Sequence, residues 1–145
     1  MKKIMFPGSF DPFHKGHASL VKKALKIFDE VDIVVSRNPD KNYKHTVERR
    51  KQMIENYYRN EKRVKVLINE NLLTINFAKQ NNFNYILRGF RNKQDFEYEV
   101  ELAKYNNAID PNIELIYFFT EQQNQNTSSS LLKEIDEYKE KNHYE

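Results

Sequence analysis

A chain of 145 residues, 39% hydrophobic and 31% charged, suits one globular domain with a core of its own. It contains no cysteine, which excludes disulfides and thiolate metal sites, and no apolar run near the ~18 residues of a membrane span, so a cytoplasmic protein without a membrane partner is expected. The net charge of +3 comes from lysines and glutamates interspersed along the chain, which reads as a solvated surface and not as a nucleic-acid footprint.

Residues 2–6 read as a first strand, cut by Pro7-Gly8. A helix is expected over 17–28, with Leu20, Val21, Ala24, Ile27 and Phe28 at helical spacing on one face. Residues 31–35 form an apolar second strand interrupted only by Asp32. A polar loop over 37–45 leads to Thr46, an N-cap for a helix through about residue 57 with Glu48 in its first turn. A third strand is expected over 64–68 and a short helix over 72–80. Residues 85–87 read as strand four, ending at Arg88-Gly89, and a helix over 95–108 places Phe96, Val100, Ala103 and Asn107 on one face. Pro111 punctuates, residues 113–119 read as strand five, 128–138 as a last helix, and the charged residues from about 139 as a fraying tail. No repeat or linker divides the chain, so 1–145 reads as a single domain. Strands alternating with helices give an α/β fold, a five-stranded parallel sheet covered on both faces.

Chemistry concentrates where strands hand over to helices. Pro7-Gly8-Ser9-Phe10-Asp11-Pro12-Phe13-His14-Lys15-Gly16-His17 lies between strand one and the first helix, at the edge of a parallel sheet where ligands bind. His14 and His17, three apart at a helix start, can face one side, and the exposed N–H groups there suit phosphate. A turn closed by a histidine cap is the plainer alternative, and two histidines without a third ligand argue against zinc. Arg88-Gly89-Phe90-Arg91 directly after strand four puts two guanidiniums on one turn, a fork for phosphate oxygens, in a chain with only 7 arginines against 17 lysines. Asp95-Phe96-Glu97-Tyr98-Glu99 opens a helix and fits ordinary capping equally well. Thr127-Ser128-Ser129-Ser130 opens the last helix, either as an N-cap or as a phosphate cradle. There are only 3 glycines, Gly8, Gly16 and Gly89, where average usage would give about ten, and all fall in these segments, as expected for sharp turns or close approach to a ligand. If the strands take the Rossmann-like order 3-2-1-4-5, strands one and four are neighbours at the switch point and the His and Arg segments face one crevice.

Taken in order, Pro-Gly-Ser-Phe-Asp-Pro…Gly-His, Arg-Gly-Phe-Arg, Asp-Phe-Glu-Tyr-Glu and Ser-Ser-Ser resemble the phosphopantetheine adenylyltransferase family of nucleotidyltransferases with a His-x-Gly-His type motif. The resemblance covers about residues 3–133. It implies a three-layer α/β/α fold and a reaction that joins ATP to 4′-phosphopantetheine, giving dephospho-coenzyme A and pyrophosphate with Mg2+ bound through the phosphates. It implies that His17 stabilises the transition state, with Lys41 and Arg91 beside it. Ser9, Lys41, Thr74, Arg88 and Asn106 would bind the acceptor. Ser9, Phe10, His14, His17, Gly89, Phe90, Arg91 and Glu99 would line the ATP site, closed by Asn124, Gln125, Asn126, Thr127, Ser128, Ser129 and Ser130. It also implies a homohexamer. Thr127 stands where the family has a hydrophobic residue and Asn124 where it has an aromatic one. Nicotinamide mononucleotide adenylyltransferases and glycerol-phosphate cytidylyltransferases share the His motif, but the Arg-Gly-Phe-Arg and Asp-Phe-Glu-Tyr-Glu pairing argues against them. A non-catalytic nucleotide-binding relative is the other alternative, opposed by intact His17, Lys41, Arg88 and Arg91.

Overall fold

The computed structural model describes residues 1–38, 41–120 and 129–142. Ten elements alternate along the chain: β1 (Lys3–Gly8), α1 (Lys15–Ala24), β2 (Glu30–Ser36), α2 (Val47–Tyr57), β3 (Val64–Asn69), α3 (Thr74–Gln80), β4 (Tyr85–Phe90), α4 (Lys93–Ile109), β5 (Glu114–Phe119) and α5 (Ser129–Asn142). The strands form one parallel sheet in the order β3-β2-β1-β4-β5, as expected. Leu20, Val21 and Ala24 of α1 and Val47 and Ile54 of α2 pack on one face, against Ile4, Phe6, Val31, Ile33, Val35 and Leu87. Ile75, Phe77 and Ala78 of α3 cover the other face, against Met5, Val34 and Ile86. Both faces are buried, so the strands read as apolar runs, not as alternating ones.

Several boundaries differ from expectation for identifiable reasons. β1 continues through Pro7-Gly8 because Pro7↔Val34 and Gly8↔Val35 extend its pairing with β2. On the β4 side its register is limited to Met5↔Ile86, so the missing N–H of Pro7 costs no ladder bond there. α1 begins at Lys15 and ends at Ala24; the turn that follows leaves Ile27 exposed while Phe28 returns to the core. Thr46 caps α2 as expected, its hydroxyl accepting the Arg49 N–H at 3.1 Å. α5 starts at Ser129 and runs past residue 138 to Asn142.

α4 forms as expected, and it turns its apolar stripe outward: Phe96 and Val100 are exposed, as is Asn107, while Glu99 and Asn106 are buried. Glu99 is drawn inward by Arg88 of β4, and its backbone carbonyl accepts the Tyr117 hydroxyl of β5 at 3.2 Å. Those polar ties outrank the apolar stripe in setting the rotation of the helix.

Candidate active site

The first half of the site forms where β1 meets α1. His14 is the N-cap: its Nδ1 accepts the Gly16 N–H at 3.1 Å, and its own N–H donates to Nδ1 of His17 at 3.1 Å. The two rings stack with centroids 3.7 Å apart. The histidine cap and the ligand-facing pair, alternatives on sequence grounds, are one structure. Phe10 turns its buried ring against Phe6 at 5.1 Å and edge-on to His17 at 4.9 Å, adopting φ 50° to do so. Burial of His17, then the neighbouring His14 and Arg91, pulls its pKa down to about 4. The ring is therefore neutral at pH 7. Because Nδ1 accepts, its proton sits on Nε2, making His17 an uncharged hydrogen-bond donor.

The second half comes from the end of β4. Arg88, Gly89 and Phe90 belong to the strand, because pairing with β5 continues to Phe90↔Phe119, and only Arg91 lies beyond it. The two arginines are not a bare fork. Arg88 donates Nε and NH2 to Glu99 at 3.0 and 2.6 Å. Arg91 donates Nε and its backbone N–H to Asp95 at 3.1 and 3.2 Å. A phosphate would meet guanidiniums already oriented by carboxylates, with part of their charge offset. Phe90 packs on Phe96 and Phe119.

Both halves line one cavity of about 390 Å³. Gly8, Phe10, His14 and His17 stand on one side; Arg88, Gly89, Arg91 and Glu99 come from β4 and α4. The crevice expected between strands one and four exists, and α1 directs its N-terminus into it. Asp95, Tyr98 and Thr120 also line it. Asp95, Tyr98 and Glu99 lie at i, i+3 and i+4 on α4, a spacing that marks one helical face in the sequence. The Thr120 hydroxyl and N–H both reach the Phe90 carbonyl, at 3.3 and 2.9 Å, a contact with no sequence signal.

Ser9 and Lys41 form a separate pair, Lys41 Nζ donating to Ser9 Oγ at 3.0 Å. Neither lines the cavity itself, though Ser9 stands between Gly8 and Phe10, which do. Asp11 holds the two loops together by accepting the N–H groups of Lys44 and His45. Thr74 opens α3 and Asn106 is buried in α4; the structure brings neither to this cavity. Phe90 likewise does not line it. Asn124, Gln125, Asn126, Thr127 and Ser128 lie outside the described residues, and Ser129 and Ser130 open α5.

No glycine has a positive φ, so the expected sharp turns are not what the glycines serve. A Cβ on Gly8 would lie 2.9 Å from the Phe10 ring, and one on Gly89 would lie 2.7 Å from Leu20 of α1. They are kept for close packing around the cavity.

A cytidylyltransferase-like family model matches residues 5–135. Among curated relatives, the phosphopantetheine adenylyltransferase of Mycoplasma capricolum is 42% identical over 139 residues, covering 96% of this chain and 99% of that protein. The one from Bacteroides thetaiotaomicron is 42% identical over 135 residues, covering 93% of this chain and 88% of its own. Among solved structures, a lipopolysaccharide core biosynthesis protein from Thermoplasma volcanium superposes with a TM-score of 0.63 at 23% identity, over 84% of this chain and 99% of that one. A bifunctional NMN adenylyltransferase/ADP ribose pyrophosphatase from Francisella tularensis gives 0.60 at 21%, over 86% of this chain and 40% of that one. At such identities these likenesses speak for the fold alone. The family match over nearly the whole chain, with relatives at 42% identity, shows that this protein belongs to the cytidylyltransferase-like family and, within it, to the phosphopantetheine adenylyltransferases.

Proposed function

We propose that the protein transfers an adenylyl group from ATP to 4′-phosphopantetheine, releasing pyrophosphate and forming dephospho-coenzyme A. The observation that carries this is the shared cavity: a neutral His17 donor, the α1 N-terminus and two arginines converge on one space. An oxygen of the acceptor phosphate attacks the α-phosphorus of ATP. The bond from that phosphorus to the bridging oxygen breaks, and the electron pair leaves with pyrophosphate.

The acceptor is already an anion, so no general base is needed. The obstacle is an anion approaching an anion, which donors fixed in place before the reaction relieve. His17 Nε2–H suits an equatorial oxygen of the transferring phosphorus. Arg91, beside it, supplies charge. Ser9 and Lys41 would hold the acceptor phosphate, with Arg88 next to them in role. Thr74 and Asn106, assigned to the acceptor by resemblance, draw no support from this geometry. Holding both reactants together supplies much of the remaining acceleration.

Magnesium belongs to the same proposal. The carboxylates at the cavity, Asp95 and Glu99, are tied to Arg91 and Arg88, and no cluster of three metal-ligating side chains occurs among the described residues. The ion would therefore be held by phosphate oxygens, where it would offset their charge. Assembly into the family's hexamer is likewise proposed; its support is the apolar surface that Phe96, Val100, Tyr105 and Ile109 of α4 leave exposed. A cytoplasmic location agrees with the absence of any membrane-length apolar helix among the described residues.

The test is coupled pyrophosphate release from ATP, with 4′-phosphopantetheine set against nicotinamide mononucleotide. Only the former should support turnover. His17→Ala should cut kcat by about 10²–10³-fold while ATP affinity stays near wild type, the scale of losing one fixed donor. No pyrophosphate with 4′-phosphopantetheine, or a fully active His17→Ala, overturns the proposal.

A further inference from the structure

Arg50 lies in α2, outside the cavity, and is 1% exposed. No carboxylate forms an ion pair with it among the described residues. Its partners are three backbone carbonyls. Nε donates to His45 at 3.1 Å, and NH1 donates to Ser9 at 2.7 Å and to Ser36 at 3.0 Å. The guanidinium lies 3.8 Å from the ring centroid of Tyr43, so its face is covered by a π-system. Burying a permanent charge is costly, and neutral carbonyls do not cancel it. A side chain kept there needs a reason beyond packing.

The carbonyls it gathers supply one. Ser9 follows β1, Ser36 ends β2, and His45 precedes the cap of α2. One rigid fork thus fastens the two loops that carry Ser9 and Lys41, whose side chains meet at 3.0 Å. The Ser9 carbonyl is also the one preceding Phe10, the residue held at φ 50°. We propose that Arg50 is a positioning residue: it touches no substrate, but sets the Ser9–Lys41 pair that receives the acceptor phosphate and leaves a net positive charge beneath it. This rests on the adenylyltransferase reading, since that reading gives Ser9 and Lys41 their role.

Position and charge can be separated. Arg50→Lys keeps the charge but offers a point donor that cannot bridge three carbonyls at those angles. Tyr43→Leu keeps the arginine and removes the ring that covers it at a half-buried position, together with that ring's approach to Lys41 Nζ at 5.7 Å and the hydroxyl that accepts the Asn38 N–H. Steady-state kinetics would be run below the melting temperature of every variant, with each substrate varied in turn. Arg50→Lys should raise the KM for 4′-phosphopantetheine by about ten-fold or more while the KM for ATP stays within about two-fold, because misplacing one binding pair affects only the reactant it holds. Tyr43→Leu should shift the same KM in the same direction by a smaller factor.

Equal changes in both KM values, or a fall in melting temperature with neither KM moved, would overturn the role of Arg50. If Arg50→Lys does not fold, Tyr43→Leu decides alone: an unchanged acceptor KM overturns the proposal. A wild-type protein that makes no pyrophosphate from ATP and 4′-phosphopantetheine instead overturns the function on which it rests, a result that cannot be mistaken for the others.

Discussion

The proton of His17 stays at Nε2 because the His14 amide occupies Nδ1, and the ring stays neutral because Phe10 and Phe13 exclude water from it. Ordinary histidine titrates near 6.5; this one is held at about 4. A depressed folded-state pKa means that the unfolded chain takes the proton first. The stability linked to neutral His17 is therefore complete above pH 6.5 and is lost as pH falls through about 4. The donor role survives over the same range, so protonation of His17 is not the cause of any loss of activity between pH 7 and 5. An NMR titration of the ring protons should give His17 a midpoint near 4. A midpoint near 6.5 would show a solvated ring and remove the uncharged-donor argument. The His-x-Gly-His spacing announced a histidine pair, but which nitrogen each ring offers depends on cap geometry that spacing does not encode.

α1 and β4 approach closely at Gly89, where a methyl group would stand 2.7 Å from Leu20 Cδ1. Leu20 lines the cavity and is buried in the core under it, so it cannot simply swing away. Gly89→Ala should cost about 1–3 kcal/mol by overpacking, and Gly89→Ala combined with Leu20→Val should recover part of that. Chemical denaturation of the single and double variants checks both. Additive losses, with no recovery, would mean that the helix does not rest on this glycine. The order and kind of every element were legible from the alternation of apolar runs and helical spacing. The facing of α4 was not. Phe96, Val100 and Ala103 advertise an apolar stripe, yet Glu99 is drawn inward by Arg88, a partner on another element that no local period can reveal. The three-carbonyl seat of Arg50 was hidden for the same reason, since it joins residues 41, 14 and 5 positions away. Motifs that lie next to each other along the chain were visible, and ties formed only by the fold were not.

The sheet separates two charged regions of the molecule. At its carboxyl end, cations gather around the cavity. Toward its amino end, Asp32 of β2 lies 4% exposed beside Glu30, which pairs with Lys65 at 3.2 Å. Asp32 Oδ1 is buried without a hydrogen-bond partner among the described residues. Burial, then the hydrogen bond and charge of Glu30, push the Asp32 carboxyl up to about 7, while Glu30 is held below its ordinary value. The neutral Asp32 thus donates to the Glu30 carboxylate, and the two share one proton. Here the folded state binds the proton more tightly than the unfolded chain, the reverse of His17. The associated stability is fully present below about pH 3.8 and disappears as pH rises through about 7. The opposite shift of Glu30 offsets part of that stability, because the pair titrates as a unit. Asp32→Asn replaces the neutral acid by an amide that can still donate to Glu30 but never ionises. At pH 5 the variant and wild type should melt together, and at pH 8.5 the variant should melt measurably higher. Melting curves that stay parallel from pH 5 to 8.5 would mean that Asp32 does not change charge over this range, and would overturn a carboxyl held near 7.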